Sequence, residues 1–161
     1  MEPIIKLKQT LIAMVGVHEQ LLDLAYQKRT ILVEGKTAEL QMITSKETKC
    51  TELISQLEDE RKQAVKGFLA QKGFILDSIT MDQVLHMLDD SEDKQLLSTM
   101  TIRLKNVVEK LKYINQNNQE LIKMSLSYIQ YSINIFMPKE PSVGYGMKQP
   151  AHSAKLLDAK I

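Results

Sequence analysis

All four prolines of the chain stand at its ends: Pro3 opens it, and Pro138, Pro141 and Pro150 fall within the last 24 residues. Between them, Ile4 to Met137 contains no proline, and apolar residues recur there at helical spacing almost without a break. Proline in a helix interior costs about 3 kcal/mol, so a long stretch free of it permits very long helices. The later prolines mark a segment that cannot continue such a helix. This division predicts a helical domain over residues 1–137 and a flexible tail over 138–161.

The core of such a domain must be built largely from Leu, Ile, Val and Met, because aromatic residues make up only 5% of the chain and Trp is absent. That composition suits a helical bundle or coiled coil rather than a β-sandwich. With 43% hydrophobic residues the chain is too apolar for general disorder. Charge is balanced along the chain. Residues 1–34 carry four basic and four acidic side chains, and residues 36–72 carry seven against six. No block forms a phosphate-binding patch, so nucleic acid is not expected as a partner. The single Cys50 excludes an intramolecular disulfide, and without a Cys or His cluster no structural zinc site is expected. The amino terminus has no basic segment followed by an apolar one, and no uncharged apolar run reaches 18 residues. A cytoplasmic protein with no membrane span is therefore expected.

Periodicity divides the chain into elements. The first helix is expected from Glu2 to Glu34, with the stripe Ile4, Leu7, Leu11, Met14, Leu21, Ala25 and Leu32 interrupted by His18 and Lys28. Gly35 is a natural carboxyl-terminal cap. The second helix is expected from Thr37 to about Lys72. Its stripe is Leu40, Ile43, Cys50, Ile54, Leu57, Ala64 and Phe68, with Glu47 and Arg61 as polar members and Gly73 as the stop. So short a turn makes the two helices an antiparallel hairpin. Thr80 with Gln83 forms a capping-box pattern that opens a short helix to about Leu88. The acidic cluster Asp89, Asp90, Glu92 and Asp93 favours the positive end of a further helix dipole. That last helix is expected to reach about Phe136 through Leu97, Met100, Leu104, Val108, Leu111, Ile114, Leu121, Ser125, Tyr128, Ser132 and Ile135. It would be roughly 65 Å long against about 50 Å for the hairpin, so one end is expected to project. The tail ends in a short amphipathic element, Ala154 to Ile161. The architecture is thus all-α: an elongated antiparallel bundle of three long helices and one short one.

Candidates for chemistry are weak. His18, His86 and His152 lie far apart without carboxylate or Cys partners at ligand spacing. Asp89-Asp90-Ser91-Glu92-Asp93 offers alternating carboxylates, but Lys94 and Met100 occupy the places where a calcium loop needs Gly and Glu. Gly144-Tyr145-Gly146 lacks the Gly-Lys-Ser/Thr ending of a phosphate loop. Cys50 lies on an apolar stripe and reads as a small core residue. No catalytic residue, metal site or cofactor is expected, and the chain is not read as an enzyme.

Binding is better supported. The chain has nine Met residues, a side chain that adaptable surfaces use heavily and that also fills cores. From Ile129 to Met137 the last helix is apolar or uncharged on nearly all sides, more than one packing stripe requires. Met124, Tyr128, Ile129, Tyr131, Ile133, Phe136 and Met137 are therefore the candidate partner-binding residues, with burial as the alternative. Asn115, Gln116, Asn117, Asn118 and Gln119 form a polar stretch that either sets register, as a buried amide can, or lines a solvated face.

In order, Leu22-Asp23-Leu24-Ala25-Tyr26-Gln27-Lys28-Arg29, Ile31-Leu32-Val33-Glu34-Gly35, Leu40, Glu47, Leu57-Glu58-Asp59-Glu60-Arg61, Asn115 and Asn118 before Leu121-Ile122, Tyr145-Gly146 and Leu157-Asp158-Ala159-Lys160 run through nearly the whole chain. Together they resemble the FlgN family of flagellar export chaperones. The chain departs from the family tail in having Met147-Lys148 after Tyr145-Gly146. The resemblance implies a non-catalytic cytoplasmic chaperone that binds the terminal helical segments of hook-filament junction proteins of the FlgK and FlgL type. It would prevent their premature assembly and deliver them to the type III export gate. Tyr145, a large ring between two glycines, is the candidate for docking to the cytoplasmic domain of that gate, or else it folds back near Tyr131. A chaperone of this kind is expected to be a monomer or weak homodimer. The competing reading is a coiled-coil adaptor or tether whose long helices dimerise.

Overall fold

The computed structural model describes residues 2–76, 79–89 and 91–137. Asp90 of the acidic cluster and the whole tail, with Tyr145 and the last three prolines, lie outside those residues. Four helices appear in the expected order: α1 (Glu2–Glu34), α2 (Thr37–Gln71), α3 (Met81–His86) and α4 (Glu92–Phe136). No strand occurs among the described residues, and the fold is an all-α bundle.

Both glycine stops act through the left-handed backbone that glycine adopts without strain. Gly35 has φ 68° and Gly73 φ 78°. At the end of α1, the amide of Lys36 donates to the Ile31 carbonyl at 3.1 Å and that of Gly35 to Leu32 at 3.4 Å. At the end of α2, Phe74 donates to Leu69 at 2.9 Å and Gly73 to Ala70 at 3.1 Å. These paired bonds satisfy carbonyls that a helix end otherwise leaves open. Thr80 caps α3 with the reciprocal capping box, and the Ser91 hydroxyl accepts from the Lys94 amide to cap α4. The acidic cluster is thus split: Asp89 precedes α4, while Glu92 and Asp93 occupy its first turn.

α1 is the central helix. α2 runs antiparallel beside it, with Pro3 against Gly67 at one end and Lys28 paired with Glu47 at 3.0 Å near the other. α4 runs parallel to α1, since their contacts ascend together: Lys8 with Asp93, Glu19 with Arg103, Ala25 with Asn118. A helix covered on two sides must bury a broad arc, and α1 does. Val15, Val17, Leu24 and Ile31 are buried beside the expected Ile4, Leu7, Leu11, Met14 and Ala25, while Leu32 is only half-buried. Arg61, a polar member of the α2 seam, forms two bonds to the Glu58 carboxylate, which lies below the usual carboxylate range because of them.

The bundle is thickest where α1 begins and α2 ends. There Leu7 of α1, Val84 of α3 and Leu97 of α4 are fully buried in one cluster with Val65, Phe68 and Leu69 of α2. Toward the α1–α2 turn a smaller cluster joins Ala25 to Val107, Leu111 and Ile114. Cys50 is buried in the main core, as expected of a small apolar residue.

Candidate functional site

α4 outlasts the hairpin. Asn118 is its last buried residue, and Leu121 and Ile122 are half-buried. Leu121 and Met124 share a shallow cleft with Arg29 and Val33 at the end of α1. From Lys123 to Met137 every residue is exposed except half-buried Ser132. The expected packing stripe therefore stops at Leu121. Ser125, Tyr128 and Ile135, read from sequence as its continuation, are exposed because α1 has ended and no described residue lies opposite them. The projecting segment is about 20 Å long at 1.5 Å per residue.

Met124 to Met137 carries no charged side chain. Nine large apolar residues are exposed on it, Phe136 to 83%. At 100° per residue they fall into two stripes on opposite sides: Met124, Tyr128, Tyr131 and Ile135, and Leu126, Ile129, Ile133 and Phe136 with Met137. Polar strips separate them. Within these, the Ser132 hydroxyl donates to the Tyr128 carbonyl at 2.9 Å, and the Gln130 amide donates to Asn134 at 3.3 Å. The helix satisfies its own backbone, so what the segment offers a partner is apolar side-chain area. A fully buried Ile or Phe contributes about 1.5–3 kcal/mol relative to its exposed state.

All seven residues expected to bind a partner lie on this one segment, and all are exposed. Leu126 and Ile135, the latter also part of the uncharged run read from sequence, are exposed on the same segment but stand outside those seven. Their spacing of three from Ile129 and four from Tyr131 is the signal that identifies them. The Met residues divide: Met14, Met81, Met87 and Met100 pack in or against the core, whereas Met42, Met124 and Met137 are exposed.

Sequence periodicity did not anticipate the concavity between α2 and α4. A groove of about 680 Å³ opens over α1, with His18 and Leu21 on its floor, Ile54 on one wall and Leu111, Asn115 and Gln119 on the other. His18 is half-buried, its Nδ1 2.6 Å from the Met14 carbonyl. The amide-rich stretch is divided between the groove and the core. Asn115 and Gln119 line the groove, whereas Asn118 is buried and its Nδ2 donates to the Ala25 carbonyl at 2.9 Å. Its Oδ1 is buried without a hydrogen-bond partner among the described residues. A buried acceptor left open costs about 1–3 kcal/mol, which offsets what the bond to Ala25 contributes. Asn118→Leu, which keeps the branching and removes that acceptor, is expected to raise stability by up to about 1 kcal/mol in thermal unfolding. A loss of more than about 2 kcal/mol would show instead that the bond to Ala25 dominates.

Among the described residues no group of His, Cys, Asp and Glu could hold a metal ion, and no helix is long and apolar enough to cross a membrane.

The family model for the FlgN protein matches residues 1–153. A Bacillus subtilis protein, the uncharacterized protein YvyG, is 32% identical over 145 residues, which cover 90% of this chain and 88% of that one. No solved structure matches the chain.

Proposed function

The chain belongs to the FlgN family, and from that premise we propose that it is a cytoplasmic flagellar export chaperone for hook-filament junction proteins of the FlgK and FlgL type. The observation that carries the reading is the projecting end of α4, uncharged and apolar on two opposite sides. A helix that leaves apolar stripes on two sides uncovered presents an exposed apolar patch of the kind that marks a partner site. Terminal amphipathic helices of a client supply such surfaces, and each side of α4 receives one by helix-in-groove packing. Met124, Tyr128, Ile129, Tyr131, Ile133, Phe136 and Met137, with Leu126 and Ile135, are the proposed client contacts. Covering them hides the client's own assembly surface until export.

In this reading residues 1–137 form the client-holding domain and residues 138–161, which lie outside the described residues, serve delivery. The free protein is a monomer or weak homodimer. The direct test mixes the full chain with a peptide of the terminal helical segment of a junction protein and measures mass by light scattering. A defined complex at the expense of free chain is expected. A stable dimer of the chain alone that ignores the peptide would favour the adaptor reading and overturn the chaperone.

Tyr145 is proposed to dock on the cytoplasmic domain of the export gate. Tyr145→Ala is therefore expected to hold client with near-normal affinity while junction-protein secretion and swimming fall. Normal secretion and motility in this variant would dispose of the role.

A further inference from the structure

The end of the bundle farthest from the α4 projection carries a second apolar surface of different character. The amide of Phe74, which donates to the Leu69 carbonyl, fixes how the chain leaves α2. The connector then presents Phe74, Ile75 and Leu76 in succession; Ile75 is fully exposed and its two neighbours about half. Leu76 and Ile79 stand across from Val65 and Leu69 of α2, leaving a groove of about 280 Å³ whose rim is Arg61, Lys62 and Lys66. Residues 61–76 contain Arg61, Lys62, Lys66 and Lys72 and no acidic residue, while Asp77, the next residue of the connector, lies outside the described residues. Arg61 is neutralised by Glu58, and Lys62 only approaches Glu58 and Asp59 at 4.0 and 3.9 Å. Lys66 and Lys72 have no carboxylate partner among the described residues.

We propose that this end is a separate docking surface for an acidic amphipathic segment of a partner protein. Apolar side chains of that segment would enter the groove and cover Ile75, while its carboxylates would meet Lys62, Lys66 and Lys72. Complementary charge of this kind sets specificity and association rate more than affinity. The other occupants fit less well. A second copy docking the same patch would oppose lysine to lysine, since a two-fold contact repeats each surface. The tail leaves α4 at Met137, roughly 60 Å away along that helix. Its apolar element starts at Leu156, 19 residues later, and would reach the patch only fully extended, at about 3.3–3.6 Å per residue. A bilayer would meet Ile75 but has no side chain to fill the groove.

The test uses the full chain and a fluorescent helical peptide of about 18 residues with a leucine stripe and a glutamate face, beside the same peptide with lysine in place of glutamate. Anisotropy is expected to show binding of the acidic peptide alone. Raising salt from about 0.05 to about 0.5 M should weaken it roughly tenfold. Lys62→Glu combined with Lys66→Glu, and separately Ile75→Ser, should each weaken it by about tenfold or more, with helical circular dichroism unchanged. Ile129→Asp should leave it unaltered, which separates this surface from the α4 end. Absence of binding, equal binding of both peptides, or indifference to the variants would each overturn the proposal. So would sedimentation showing a dimer that Ile75→Ser dissolves, or binding to phosphatidylglycerol vesicles without binding to the peptide.

Discussion

Ile129→Asp or Ile133→Asp is expected to abolish client binding while leaving the helical circular dichroism and the unfolding temperature unchanged. Both residues lie on one stripe of the α4 projection and are about half exposed, at 52% and 43%. An aspartate there costs the free protein little, because the site is already in water. In the complex it forfeits about 1.5–3 kcal/mol of apolar burial and must also desolvate a charge without a partner. A loss of about 3–5 kcal/mol corresponds to a drop in affinity of roughly 10²–10³-fold or more. Isothermal titration with a junction-protein terminal peptide measures it directly. Wild-type affinity in both variants would remove the client site from α4. Loss of fold in both would mean that this segment is covered in the free protein, and the reading of it as a projection would be wrong.

The second large effect lies at the opposite end of the molecule and concerns stability alone. Leu97→Ala is expected to cost about 2–5 kcal/mol. Leu97 is fully buried in the cluster that joins all four helices, among Leu7, Val84 and Phe68. A cavity there cannot collapse easily, because α1, α2 and α3 brace the same space. For a domain of this size the loss corresponds to a fall of roughly 5–15 °C in unfolding temperature. Leu126→Ala removes the same atoms from an exposed position and serves as the control, with an expected change within about 0.5 kcal/mol. Equal shifts for the two variants would contradict the burial pattern on which the client surface also depends.

Helix existence and ends were legible because their signals are local. Gly35 and Gly73 carry the positive φ values that stop α1 and α2, and Thr80 with Gln83 forms the capping box that starts α3. The polar breaks in the apolar stripes were visible but not their partners: Lys28 and Glu47 were read separately, and the hairpin brings them to 3.0 Å. The choice of neighbour for α4 was not legible. A stripe on α4 says that one face is buried, not whether α1 or α2 covers it, and burial of Val15 and Val17 depends on that choice. Nor could periodicity mark where packing stops. The pattern continues unchanged past Leu121 through Tyr128 and Ile135, although the covering helix ends at Glu34. The candidate site was therefore found by its excess of apolar residues, and the connector surface at Phe74 to Leu76, which has no periodicity, was missed.

The single bond from Asn118 to Ala25 has a dynamic consequence. Up to that residue, opening α4 requires separating it from α1, so amide exchange there should track global unfolding. Beyond it, about 18 residues of helix are held chiefly by their own turns, near the length at which an isolated helix is marginal in water. Their amides should exchange through local fraying, with protection falling stepwise after Leu121 rather than gradually along the helix. One helix thus carries two kinetic regimes. A partner seated on the projection would be released by melting a few turns, on a microsecond scale, without disturbing the bundle that supports it.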